Sequence, residues 1–131
     1  MDILDYATDE AAEQDGKWFD LSTTTKIKLR SYTSQKSRDV RRHLDKPYDG
    51  IRRVGGIVPD DVQEKLLIQQ MAKAIIVDWK GLTENKIEVP FSAAKAEELL
   101  TKYPKFRNQL AAIVANESSF DAEKLEASEK N

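Results

Sequence analysis

Apolar positions recur along this chain with two different periods, and the change of period divides it. Ile27 and Leu29 alternate with Lys26, Lys28 and Arg30, the period-two signature of a half-buried strand. Trp18-Phe19-Asp20-Leu21 reads as a partner strand and Ser22-Thr23-Thr24-Thr25 as the connection, so residues 17–32 are expected to form a β-hairpin. A lone hairpin is marginal in water, so this one must pack on helices or join a neighbouring sheet.

From residue 34 the spacing is helical. Ser34 to Lys46 predicts a short basic helix with Val40 and Leu44 at i,i+4, and Pro47-Tyr48-Asp49-Gly50 and Gly55-Gly56 place an irregular, mobile stretch over 47–58. Pro59 followed by Asp60 and Asp61 marks the start of a long helix, expected to run to about Lys80 and to end on Gly81. From Met71 to Val77 that segment is apolar around most of its circumference, as a central helix would be. Ile87 and Val89 flank Glu88 in a short extended link. Ser92 then caps a helix over 92–102 that presents Ala96, Leu99, Leu100 and Tyr103. After Pro104 a last helix presents Phe106, Leu110, Ile113 and Val114.

Residues 1–15 read as a flexible acidic leader and 117–131 as a polar tail. The expected fold is a single α+β domain, mainly α. Its N-terminal β-hairpin is joined to a helical bundle of three main helices over 59–116, with the short basic helix and loop of 34–58 between them.

Charge adds a pattern that the net value of −2 conceals. Residues 1–20 hold seven acids and one Lys, residues 26–53 hold ten Lys and Arg against three Asp, and residues 117–131 hold five acids and two Lys. Acidic ends around a basic middle imply either internal neutralisation or a basic face for a partner. With no Cys, disulfides, thiolate metal sites and cysteine nucleophiles are excluded. The opening Met1-Asp2-Ile3-Leu4-Asp5 is acidic where a signal peptide is basic, and no apolar run reaches membrane length, so a cytoplasmic protein with no membrane partner is expected.

Candidate chemistry is sparse. His43 is the lone imidazole and sits between Arg42 and Leu44 without partners at ligand or relay spacing. Asp60, Asp61 and Glu64 suit a helix N-terminus better than an acid–base pair, and Gly55-Gly56 lacks the Lys and further glycines of a phosphate loop. No catalytic, metal or cofactor site is therefore expected, and the chain does not read as an enzyme. The basic segment 26–53, with Tyr32 and Tyr48 for stacking, is the one stretch suited to nucleic acid, but it carries no helix-turn-helix or zinc spacing.

Asp78-Trp79-Lys80-Gly81-Leu82, a short link, Val89-Pro90-Phe91-Ser92, the Ala96/Leu99/Leu100 helix, Pro104 and a last helix ending near Asn116 and Phe120 follow one another in an order that resembles the tail assembly chaperones of long-tailed bacteriophages. The likeness is clearest over residues 71–120. It implies a non-enzymatic binding factor that coats and solubilises the tape measure protein, self-associates, works in the host cytoplasm and is absent from the mature virion. It also implies a tail tube partner, recruited through a longer frameshift product where one exists. Ile75, Trp79, Phe91, Leu99, Phe106 and Leu110 are the residues suited to core and groove, with Arg38, Arg41 and Arg42 as polar contacts. The competing expectations are a structural virion component, such as a connector or tail-completion protein, and a small nucleic-acid-binding regulator using residues 26–53.

Overall fold

The computed structural model describes residues 1–122. Three strands, β1 (Lys17–Asp20), β2 (Lys26–Leu29) and β3 (Ile76–Lys80), form an antiparallel sheet in the order β1-β2-β3. Phe19 pairs with Ile27 and Ile27 with Trp79, which puts these three side chains on one face. Trp18, Lys28 and Asp78 share the other, where the Lys80 ammonium lies 4.7 Å from the Trp18 ring centroid. The Ser22 hydroxyl accepts the amides of Thr24 and Thr25 and so closes the β1–β2 turn. The hairpin stands where the alternation placed it.

Helices cover the apolar face. α1 (Glu10–Asp15) precedes the sheet; α2 (Gln35–Asp45), α3 (Asp49–Arg53) and α4 (Asp60–Gln70) lie between β2 and β3; α5 (Ala93–Lys102) and α6 (Pro104–Ala115) follow. Ser34, Asp9 and Ser92 accept from backbone amides at the starts of α2, α1 and α5, satisfying donors that the first turn of a helix leaves free. Pro104 opens α6, where a missing amide hydrogen costs nothing. Ile27, Leu29, Met71, Ile75, Leu100 and Leu110 are fully buried between sheet and helices. The mainly α, α+β architecture is therefore as expected, but three segments differ in detail.

The largest difference lies at residues 71–80. The helix does not continue to Lys80: α4 widens into one π-helical turn over Met71–Ile75 and ends, and Ile76–Lys80 is a strand paired with β2. An apolar run reads alike as a buried helix or a buried strand. Ile75, Ile76, Val77 and Trp79 are β-branched or aromatic, and β2 would otherwise lack a partner on that side. Tertiary pairing wins over helical continuation. Gly81, at φ +75°, thus ends a strand and not a helix. Beyond it Thr83–Glu84 and Ile87–Glu88 form β4 and β5, a hairpin turning through Asn85 and Lys86, both at positive φ.

Residues 47–58 carry more structure than expected. A 3-10 turn over Lys46–Tyr48 leads into α3, which the Arg52–Asp45 ion pair (3.0 Å) folds back against α2. The supposed leader is built in as well. α1 is tied to the sheet and to α2 by the Glu13 carbonyl accepting from Ser31 (3.1 Å), the Gln14 carbonyl from Arg30 Nε (2.9 Å) and the Gln14 side chain from Gln35 (2.8 Å). Thr8 bridges to Asp121, and the Asp9 amide donates to the Phe120 carbonyl (2.8 Å). Phe120, at the end of the 3-10 turn Glu117–Phe120, is buried edge-on against Phe19. The rest of the expected polar tail, residues 123–131, lies outside the described residues.

Candidate partner-binding surface

The six apolar candidates do not line a single groove. Ile75, Trp79, Leu99 and Leu110 are buried, and Phe91 and Phe106 pack half-buried against the same core. Trp79 is held most tightly. Its indole N–H donates to the Val89 carbonyl at 2.7 Å, and its ring meets Phe91 edge-on with centroids 4.9 Å apart. That pair fastens the segment after β5 to the sheet.

Two depressions among the described residues adjoin these candidates. One, of about 510 Å³, lies beside the β4–β5 hairpin and is lined by Leu82, Leu99, Tyr103 and Phe106. Glu84 guards it: its carboxylate accepts from the Tyr103 hydroxyl at 2.6 Å and from Lys102 at 3.0 Å, with Lys95 at 3.6 Å. The Tyr103 hydrogen bond first, then the Lys102 bond, hold Glu84 down at a pKa of about 2. The other depression, of about 560 Å³, is a groove between α4 and α6 whose remaining sides are formed by Thr8, Glu13 and residues 31–33; Leu67, Ala111 and Val114 stand half-buried in its wall, and Met71, Ile75 and Phe120 line it from buried positions. Glu64 and Arg107, 2.8 Å apart, join α4 to α6.

The three arginines divide. Arg41 is structural: its guanidinium donates to both Asp45 oxygens (3.2 Å each) and to Gln70 Oε1 (3.2 Å). Gln70, buried in α4, donates in turn to the Ser37 hydroxyl at 2.9 Å, so the chain Asp45–Arg41–Gln70–Ser37 locks α2 to α4. Arg38 and Arg42 are exposed and bond along their own helix, to Gln35 and Asp39. They border a cleft shared with Tyr32, which also lines the larger groove. Apolar groove and exposed arginines are therefore continuous through Tyr32.

The candidates legible in the sequence share one core, and the groove wall is built from other residues. Leu67 and Met71 at i,i+4 and Ala111 and Val114 at i,i+3 carried the available signal. The carboxylates of Asp60 and Asp61 stand in the first turn of α4, and His43 is exposed. Among the described residues no group of three or more His, Cys, Asp or Glu is placed to hold a metal ion, and no helix is long and apolar enough to cross a membrane.

Residues 28–131 match the family model of the YdaY prophage protein. The chain belongs to this family. The YdaY match begins inside β2 and takes in every later element, including the π turn, β3 and both groove-forming helices. It gives the protein a bacteriophage origin. No curated protein and no solved structure matches the chain.

Proposed function

We propose that this YdaY-family protein is a tail assembly chaperone, a non-enzymatic factor that binds and solubilises the tape measure protein during tail morphogenesis. The observation that carries the proposal is the open apolar groove between α4 and α6, bordered through Tyr32 by exposed arginines. A long helical partner exposes apolar stripes that aggregate when bare, and a groove of this kind covers such a stripe while the charged exterior keeps the complex in solution. The phage origin of the family and the ordered likeness over residues 71–120 support the same reading.

Trp79, Leu99 and Leu110 act by holding the fold, while the half-buried Leu67, Ala111 and Val114 face the partner. The partner is the tape measure protein, with the tail tube protein reached through any longer product, and the site of action is the host cytoplasm. Mass spectrometry of purified particles tests the class. The chaperone reading expects the protein to be absent from the virion, and a stoichiometric copy there would make it a structural component instead.

A further inference from the structure

The sheet has two outer edges, and they are finished differently. At β3 the Asp78 carboxylate accepts from the Trp79 amide (2.8 Å), and the strand bulges at Val77, which the register leaves without a partner. Both devices blunt an edge against further pairing. β1 has neither. The Leu21 amide donates to the Thr25 carbonyl (2.9 Å), and the Arg30 amide turns the other way, to the Ile75 carbonyl (2.8 Å). By antiparallel alternation Lys17 and Phe19 therefore bond to β2, while the backbone N–H and C=O groups of Trp18 and Asp20 point away from it. Among the described residues none of these outward groups is hydrogen-bonded. A lysine often guards such an edge, but the Lys17 ammonium is drawn off to the Ser119 carbonyl (3.1 Å).

We infer that β1 pairs antiparallel with β1 of a second copy about a two-fold axis through Phe19, making one continuous sheet. Facing residues of an antiparallel pair lie on the same side of the sheet, which leaves few registers. An axis through Asp20 sets two carboxylates against each other. An axis through Trp18 needs the Gly16 amide, which already donates to the Ala12 carbonyl (3.0 Å). With the axis at Phe19, Trp18 faces Asp20 of the second copy, and the two exchange their backbone bonds in each half of the interface. Every outward group of β1 is then satisfied.

The side chains fit the same register. On the core face the row Trp79–Ile27–Phe19 runs on into Phe19 of the second copy, which covers the exposed remainder of this half-buried ring. On the other face Asp20 of the second copy comes beside Trp18, where the Lys80 ammonium lies 4.7 Å from the ring centroid. The Asp20 carboxylate is exposed and pairs with Lys26 at 4.0 Å, a contact weak enough to exchange. The interface is closed and self-complementary. It stands on β1 and does not depend on the tape measure reading.

Amide hydrogen exchange of the full chain, read by NMR in dilute and in concentrated solution, tests it. Concentration is expected to slow exchange at Trp18 and Asp20 at least about tenfold. In sedimentation equilibrium the unmodified chain is expected to dimerise. Asp20→Pro removes an outward N–H and spares the bonds to β2, so it should raise the dissociation constant at least about tenfold with an unchanged circular dichroism spectrum. A chain that stays monomeric, a dimer whose Trp18 and Asp20 amides exchange as freely as in dilute solution, or a folded Asp20→Pro variant that associates as tightly as the parent would overturn the inference. Protection that arises only when a tape measure fragment is added would give this edge to a foreign strand and overturn it equally.

Discussion

At Trp79 one side chain holds three segments together: its backbone is in β3, its indole N–H reaches the Val89 carbonyl, and its ring rests on Phe91. Trp79→Ala removes the ring and opens a cavity, and should cost about 3–5 kcal/mol. Trp79→Phe keeps an aromatic surface but leaves the Val89 carbonyl without its donor, and should cost about 1–3 kcal/mol. Urea unfolding of the two variants checks both the order and the size.

Glu84 makes a prediction of a different kind. Its pKa is lowered to about 2 by Tyr103 and Lys102, so the charged form is the one the fold favours. The stabilisation is complete above the ordinary carboxylate value of 4.5 and is lost as pH falls toward 2. The stability difference between the parent chain and Glu84→Gln should therefore be flat above that value and shrink steadily below it. A carboxyl-carbon NMR titration should place the Glu84 midpoint near 2.

Among the elements, those fixed by local chemistry were legible in the sequence. The alternation at Lys26–Arg30 located β2, Ser34 and Ser92 located two helix starts, and Pro104 located a third. β3 was not legible, because its conformation is decided by a partner strand some fifty residues earlier and not by its own pattern. α1 was missed for a similar reason: its anchors, Ser31, Arg30 and Gln35, are distant in sequence and act through backbone and amide groups. The groove was hidden because its wall and the core are built from the same apolar residue types.

Gly81 shows how tightly β3 is held at its end. A Cβ there would lie 2.0 Å from the Thr24 carbonyl oxygen, on top of the strain of φ +75°. Gly55 has a similar φ of +78° but open space around it. Gly55→Ala should therefore cost about 1 kcal/mol, the left-handed penalty alone, whereas Gly81→Ala must also displace the β1–β2 turn and cost clearly more. Thermal unfolding of the pair separates backbone strain from steric collision.

On the scale of the whole molecule, charge and apolar surface are arranged in a consistent way. Asp39 and Asp45 offset part of the basic segment from within, which weakens it as a polyanion site and leaves Arg38 and Arg42 at the edge of the groove. The basic middle of the chain thus serves first to join α2 to α4 and only then to face outward. The acidic N-terminal turn and the α4–α6 groove occupy separate places on one small domain.

Co-expression with the tape measure protein of the same phage, followed by affinity capture at moderate salt, tests whether this chain is its chaperone. The two proteins are expected to co-purify, with the tape measure protein staying in the soluble fraction only when its partner is present. A soluble chain that captures no tape measure protein, with that protein aggregating as it does alone, would contradict it.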